Sequence, residues 1–381
     1  NGKFSNQYLI GSLYLPFSYE FNDSFSFNVD SGLNILPQMI KESKFFGSNL
    51  YSGIGFKLSD KRNFDFITSI KFPFTGFNTF NSSLNFYRVP IYSYGINYSL
   101  DEKVDFNLRI TNSFMISPAT SLLTIPSDNR PLYYLGLNLK PYNFKQTINE
   151  LSSYEERLAF GGLSVSNALV NPSGKYGLTS YYDSKGSYSL KFDNSFSDKL
   201  SLELFSISKL KNVNYLNSYP KEVYDNFISN DNTNFRLGIK ANFIKKQNEK
   251  FSYWNSARVS VGRSRNNKQG YYFFEQINSI LLSDKITLSI NPKSYWTNKN
   301  NIYGIGLSTN YKLNNLIDLI SEINFVGNKK LDSNYTLGAR FFIDQNKSID
   351  FYTSNVLGFQ DISQMQKSEK NIFGIKFNLV I

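Results

Sequence analysis

The sequence predicts an all-β protein, a closed antiparallel transmembrane barrel, from three observations. Apolar and polar side chains alternate with a period of two along most of the chain, so that residues 303–313 (YGIGLSTNYKL) place Tyr303, Ile305 and Leu307 on one face. Segments of this kind are separated in turn by short turns and by longer polar connections. No apolar run approaches the ~18 residues that a transmembrane helix needs. Together these features predict strands with one face in lipid and the other in water.

The alternation defines nineteen segments. They are residues 8–19, 24–36, 48–58, 63–73, 91–100, 104–114, 131–139, 175–182, 186–194, 199–209, 234–244, 251–262, 271–282, 286–296, 302–312, 316–327, 334–343, 348–358 and 371–381. Closed bacterial barrels normally have an even number of strands, so we predict about 18 strands, with about 16 as the next count. All of them are expected to form one barrel domain over residues 1–381.

Polar turn-forming residues mark the short turns, for example Ser283–Lys285 and Asn314–Asn315. Longer polar connections are predicted at about 37–47, 75–90, 115–130, 210–233, 264–270, 328–333 and 359–370. An alternation of short turns at one end with longer loops at the other is typical of up-and-down barrels.

Composition limits the chemistry of the chain. Its 381 residues include 35 Phe and 27 Tyr, which suit strands and membrane interfaces. Mean hydropathy is −0.34, a value that barrels also reach because half of each strand faces water. Cysteine and histidine are both absent, so disulfides, thiolate metal sites and the commonest general base and metal ligand are excluded. We therefore expect no enzyme activity, catalytic residue, metal or cofactor.

The formal net charge is +11, with 41 Lys and Arg against 30 Asp and Glu. Such a balance can indicate nucleic-acid binding, but these basic residues are spread among strands and turns, and no nucleic-acid module accompanies them. We expect no nucleic-acid partner. Lysines in the turns would solvate the barrel ends, and bases in the interior would attract anions.

Residues 148–160 break the period of two. Ser152 stands three positions before Glu155, the spacing of a helix capping box. This pattern predicts a lumen-facing loop or short helix within residues 140–174.

The last segment, NIFGIKFNLVI at 371–381, places Phe373, Ile375, Phe377, Leu379 and Ile381 on one face. It resembles the C-terminal strand of bacterial outer-membrane β-barrels, although those strands usually end in Phe or Trp and this one ends in Ile. The resemblance is to the porin-like channel class and covers the whole chain. It implies the outer membrane of a Gram-negative-type bacterium, with short periplasmic turns and longer external loops. The implied partners are membrane lipid, lipopolysaccharide and the barrel-assembly machinery, which would read residues 371–381; homo-oligomerisation is left open.

Function should lie on the polar face of the strands. Basic residues predicted to point inward and line a pore are Lys57, Lys71, Arg109, Lys191, Arg236, Lys240, Arg258 and Arg340, and inward acids include Asp65, Asp105, Asp318 and Asp350. Two interpretations stay open. The bases could favour anions in a narrow passage, or they could pair with acids across strands and keep the interior hydrated.

Three classes of function fit this pattern. The first is a channel for passive diffusion of small polar solutes, with anions as one candidate group. The second is a transporter of hydrophobic compounds of the fatty-acid type, in which the apolar stretch Ser117–Pro126 could form part of a plug. The third is a structural or export barrel with a blocked lumen.

Overall fold

The structure, a computed structural model, describes residues 11–35, 48–60, 63–83, 85–114, 120–124, 130–140, 151–209, 233–248, 251–264, 270–297, 301–327, 333–356, 358–359 and 364–381. The chain divides into two compact units, Asn1–Asn143 and Phe144–Ile381. Each unit is described below by itself.

The described residues of the first unit form a seven-stranded antiparallel sheet and a small hairpin. The strands of the sheet, in spatial order, are β1 (Gly11–Asn22), β2 (Phe25–Ile35), β3 (Asn49–Asp60), β4 (Phe64–Pro73), β7 (Ile91–Asp101), β8 (Val104–Thr111) and β9 (Leu132–Leu139). The hairpin pairs β5 (Thr79–Phe80) with β6 (Phe86–Tyr87) within the predicted connection at 75–90. Among the described strands, β1 and β9 each have a neighbour on one side only, so the sheet is open.

The described residues of the second unit form one helix and a closed ring of twelve antiparallel strands. The helix is α1 (Ser153–Ala159), and the strands are β10 (Tyr176–Asp183), β11 (Tyr188–Ser197), β12 (Leu200–Lys209), β13 (Thr233–Asn248), β14 (Phe251–Ser264), β15 (Gly270–Ser283), β16 (Ile286–Trp296), β17 (Asn301–Lys312), β18 (Ile317–Val326), β19 (Asn334–Asp344), β20 (Lys347–Val356) and β21 (Lys367–Val380). Each strand pairs with the next along the chain, and β21 pairs with β10 to close the ring.

Each of the nineteen predicted segments corresponds to a strand of the ring or of the sheet. The predicted count of about 18 or 16 strands in the barrel was wrong, because the ring contains twelve. The error came from assuming that β21 closes on the first strand of the chain. Nineteen consecutive antiparallel strands would bring the first and last together in parallel, whereas β10 and β21 run antiparallel and pair over seven residues.

The outer face of the ring is apolar. Tyr303 and Ile305, predicted to face lipid, are exposed, as is Leu237 of β13, and Ser308 on the opposite face is buried. In the open sheet, Leu108 is likewise exposed. The alternation therefore assigns the two faces of the strands correctly. Within the described ranges, no helix has both the length and the apolar character to cross a membrane.

Helix α1 confirms the predicted capping box. The side chain of Ser152 accepts from the backbone N–H of Glu155 at 3.3 Å, and the Glu155 carboxylate accepts from the backbone N–H of Ser152 at 3.1 Å. These bonds satisfy donors that a helix N-terminus otherwise leaves without a partner.

Several predicted features lie outside the described residues. They include most of the long connections, notably 37–47, 210–232 and 265–269, and the first part of the segment at 140–174. Only residues 120–124 of the apolar stretch Ser117–Pro126 are described.

Candidate functional site: the interior of the ring

Residues 151–174, here called the internal loop, occupy the interior of the ring. The guanidinium of Arg157 on α1 donates to two main-chain carbonyls of the turn between β17 and β18, at 2.8 and 2.9 Å. Glu155 forms an ion pair with Lys245 of β13 at 2.9 Å. Both partners lie towards the end of the ring that carries the short turns, so the internal loop enters from that end.

The tip of the internal loop is bound by a carboxylate from the ring. Glu322 of β18 accepts from the backbone N–H groups of Leu163 (2.7 Å), Ser164 and Val165 (3.2 Å), and from the Ser164 hydroxyl at 2.7 Å. Successive N–H groups that converge in this way form an anion-binding nest. A Cβ at Gly162 would lie 1.9 Å from the Val165 carbonyl oxygen, so this tight approach requires glycine.

Three lysines of the ring bind carbonyl oxygens of the internal loop. Lys376 donates to the carbonyl of Gly162 at 2.6 Å and Lys293 to the carbonyl of Ser164 at 2.9 Å. Lys240 donates to the carbonyl of Leu169. A non-helical segment inside a barrel has main-chain groups that need partners, and these ammonium groups supply them.

After its tip the internal loop returns to the end where it entered. The backbone N–H of Ala168 donates to the hydroxyl of Ser279 on β15 at 3.0 Å. Farther along, the N–H of Ser173 donates to Asp198 in the turn between β11 and β12 at 2.8 Å. The next strand, β10, therefore starts at the short-turn end. The path is that of a re-entrant loop rather than a segment that crosses the ring once.

Apolar side chains anchor the internal loop on two sides of the interior. Leu163 packs in a cluster of ring and loop residues, and Leu158, Ala168 and Leu169 pack in a second cluster. The other members are Tyr181, Ile320, Tyr352, Val356 and Phe359 in the first cluster, and Trp254 and Ile277 in the second. Burying these side chains adds apolar contact to the polar clamps described above.

The five predicted basic residues of the ring all point into its interior, and four of them contact acids there. Lys191 pairs with Asp193 at 2.6 Å, and Arg236 donates through Nε to Glu203 at 2.6 Å. Arg258 contacts the same Glu203 at 3.3 Å and Glu275 at 3.6 Å.

Arg340 is bound by both oxygens of Asp350, each at 2.7 Å. The three arginines pair with acids on other strands, and Lys191 pairs with an acid on its own strand, β11, so the structure favours paired bases over a row of free ones. Lys240 differs, since its described partner is a main-chain carbonyl of the internal loop.

A cavity of about 150 Å³ lies between the tip of the internal loop and the wall formed by β10 to β14. Its charged lining side chains are Lys191, Asp193, Glu203, Arg236, Lys240, Arg258 and Lys376. Phe359 and Gln364, from the connection between β20 and β21, also line it. Five basic groups and two acidic groups give the lining an excess of three positive charges.

The other three predicted residues belong to the open sheet. Lys57 pairs with Asp65 at 2.9 Å, and Lys71 pairs with Asp30 at 2.6 Å. Arg109 and Lys71 line a cavity of about 360 Å³ beside the sheet, together with apolar residues such as Phe17 and Ile54. The eight predicted pore-lining residues therefore divide between the two units, and only the five in the ring share one interior.

Sequence reasoning missed Lys293, Lys376 and the acids Glu203 and Glu275, whereas Asp318 and Asp350 are among the acids that it predicted to point inward. Lys376 carried a usable signal, because it lies between Ile375 and Phe377 in a clearly alternating strand. Lys293 follows Pro292, where the alternation is harder to read. Within the ranges that the structure describes, no cluster of three or more acidic side chains is arranged to hold a metal ion.

No family model and no curated protein sequence matches the chain. Among solved structures it is similar to KdgM porin in complex with disordered oligogalacturonate, with 10% identity, 54% of this chain and 98% of that chain covered, and a TM-score of 0.38. An outer-membrane channel from Pseudomonas putida F1 has 12% identity, 56% and 98% coverage, and a TM-score of 0.39. A mutant of Rh. blastica porin has 9% identity, 96% and 100% coverage, and a TM-score of 0.27. Two of these three proteins are porins, and the third is an outer-membrane channel.

Proposed function

We propose that the protein is a porin-like channel in the outer membrane of a Gram-negative bacterium and that small polar solutes diffuse through the interior of the ring. The observation that carries this proposal is a closed antiparallel ring with an exposed apolar outer face and a charged inner face. In lipid, every main-chain group of a strand needs a partner, and closure supplies one at every position. The same arrangement leaves the polar face free to line a hydrated passage.

Anions are the favoured solutes. The cavity beside the internal loop has five basic and two acidic side chains in its lining. A positive excess in a narrow, partly desolvated passage lowers the barrier for anions and raises it for cations. A transporter of hydrophobic compounds has less support, because charged groups rather than an apolar pocket line this space.

A structural or export barrel with a blocked lumen is the second candidate, and the internal loop favours it. Residues 162–169 are held by Glu322, Lys293, Lys376 and Lys240 from four different strands. A segment clamped in this way reduces the open cross-section of the ring.

Planar-bilayer recordings with and without the internal loop would separate the two candidates. The full chain is compared with a variant in which residues 160–171 are replaced by a Gly/Ser linker of equal length, after both are shown to fold by their heat-dependent electrophoretic shift. A channel predicts current through the full chain, an anion-selective reversal potential and a larger conductance for the variant. Current through the variant alone would support the blocked barrel. If neither folded protein carried current, the channel function would be contradicted.

We also expect the barrel-assembly machinery to read residues 371–381. These residues include most of β21, the strand that closes the ring on β10 and also pairs with β20. The surrounding lipid and lipopolysaccharide would contact the apolar outer face.

A further inference from the structure

The cavity beside the internal loop is bordered by four different parts of the chain. The tip of the loop forms one side, β10 to β14 form the wall, and Phe359 and Gln364 reach it from the connection between β20 and β21. The side chain of Lys376 from β21 completes its lining. This space is therefore a shaped pocket inside the ring and not only a stretch of open passage.

The acidic side chains of the pocket already have basic partners. Asp193 is paired with Lys191 at 2.6 Å. Glu203 accepts from Arg236 at 2.6 Å and lies 3.3 Å from Arg258. Their negative charges are thus directed at neighbouring bases.

Two lysines of the pocket are bound mainly by neutral main-chain groups. Lys376 donates to the carbonyl of Gly162 at 2.6 Å, and its nearest ion-pair contact, Asp350, is 4.0 Å away. Lys240 donates to the carbonyl of Leu169, and among the described residues it has no carboxylate within ion-pair distance. A carbonyl dipole offsets less of an ammonium charge than a carboxylate does, so both lysines can gain from a negatively charged ligand.

We propose that this pocket is a binding site for a small organic anion with two carboxylate groups, one for Lys240 and one for Lys376; the proposal rests on the channel function and names its solute class. The volume of about 150 Å³ sets the size of the ligand, because an engineered cavity of about that volume holds benzene. Tyr181 and Phe359, which contact each other edge to face at 5.2 Å, supply an apolar surface for the carbon chain between the carboxylates.

Calorimetric titration of the folded full chain in detergent tests this site, with succinate as the probe and succinamide, its neutral analogue, as the control ligand. We expect saturable binding of succinate and none of succinamide. The K240M/K376M variant should weaken succinate binding at least tenfold. The matched variant K285M/K347M also removes two lysines, but from exposed positions at short turns, and should bind as the parent does.

A second variant keeps the test decisive if K240M/K376M fails to fold. Thr179→Glu places a carboxylate in the pocket without removing a lysine, since Thr179 lines the cavity and stands opposite Lys191 on β11. It should compete with succinate and abolish binding. Unchanged affinity in this variant, or no saturable binding by the parent protein, would overturn the site.

The succinate-binding test and the conductance test of the channel can fail independently of each other. A protein that conducts in bilayers but does not bind succinate would refute the site and leave the channel in place. A protein that binds succinate but carries no current, with or without the internal loop, would refute the channel and leave the site. Equal binding by K240M/K376M and K285M/K347M would show that these two lysines do not recognise the anion.

Discussion

Two cross-strand ion pairs, one in each unit, differ in their exposure to solvent. In the ring, Arg340 and Asp350 have side chains 1% and 0% exposed and form two hydrogen bonds of 2.7 Å. In the open sheet, Lys71 and Asp30 lie 2.6 Å apart, but their side chains are 24% and 27% exposed. Both pairs lie on the polar face of an antiparallel sheet. Arg340 stands directly opposite Asp350 on the next strand, and Lys71 of β4 reaches Asp30 of β2 across Gly53 of β3. The alternation of the strands is thus the same, and what differs is how the polar face is covered.

The ring covers its polar face in two ways. Closure of β21 on β10 encloses the interior, and the internal loop then fills much of it. In the sheet, β1 and β9 have no second neighbour among the described strands, and the bases on its polar face keep contact with water. The period of two therefore decides which face a side chain takes, while closure decides how far its charge is desolvated.

The largest expected effect concerns closure. Deleting residues 377–381 removes positions of β21 that pair with both β10 and β20, and leaves main-chain groups without partners. Each such group costs several kcal/mol in lipid, so we expect no folded ring. Deleting β1, an edge strand of the sheet, should leave the ring folded. The heat-dependent electrophoretic shift in lipid vesicles reports folding, and a normal shift for the β21 truncation would contradict its closing role.

The sequence predicts strands well and closure poorly, for a physical reason. Alternation is local, so the nineteen segments and their outward residues, such as Leu237 and Tyr303, follow from a few neighbours in the chain. Which strand ends meet depends on a pairing between β10 and β21, almost two hundred residues apart. No local pattern specifies that contact.

Some of the ion pairs join residues that are close in the sequence, and others join residues that are far apart in it. Arg340 and Asp350 flank the tight turn at 345–346, so the sequence places them close together on neighbouring strands. Counting outward from the turn would put Phe341 opposite Asp350, and the bulge between Phe342 and Asp344 brings Arg340 there instead. Arg236 and Glu203 are 33 residues apart, across a long connection, and their register cannot be counted from the sequence. The capping box of the internal loop was visible, but its partners Glu322 and Lys376 were not, because they come from distant strands.

The second prediction sharpens the comparison of the two ion pairs. Arg340→Met should lower the free energy of unfolding by about 3–5 kcal/mol, because it leaves the Asp350 carboxylate buried without its main partner. Lys71→Met should cost about 0–1 kcal/mol, since Asp30 remains partly hydrated. Urea unfolding in vesicles measures both. The double variant R340M/D350L should recover part of the loss, and equal costs for the two single variants would contradict the difference in burial.

The third prediction tests the apolar faces. Leu237→Arg should destabilise the ring by about 2–4 kcal/mol if this exposed residue lies near the bilayer midplane, whereas Leu316→Arg, beside a short turn, should cost about 0–1 kcal/mol. Leu108→Arg applies the same test to the open sheet, where Leu108 is also exposed. A loss of unfolding free energy as large as that of Leu237→Arg would indicate that the apolar face of the sheet lies in lipid. If Leu237→Arg and Leu316→Arg lowered the free energy of unfolding equally, the expectation that Leu237 lies deeper in the bilayer than Leu316 would be contradicted.

The smallest expected effect concerns the internal loop. Among the described residues of the sheet there is no comparable loop. Burial alone would raise the pKa of Glu155, but the hydrogen bond and charge of Lys245 and the bonds from Ser152 outweigh it and hold the pKa below its ordinary value. A lowered carboxyl pKa in the folded state stabilises α1 above the unfolded pKa, and this contribution is lost as pH falls through the folded pKa.

Ser152→Ala removes the cap and should cost the helix about 1 kcal/mol at neutral pH. Hydrogen–deuterium exchange of residues 153–174 measures both effects. Protection factors, which correct for the slower chemical exchange at low pH, should fall in acid and in the variant while the strands of the ring stay protected. Protection of the internal loop that is insensitive to acid and to Ser152→Ala would show that the tip contacts alone hold it in the ring.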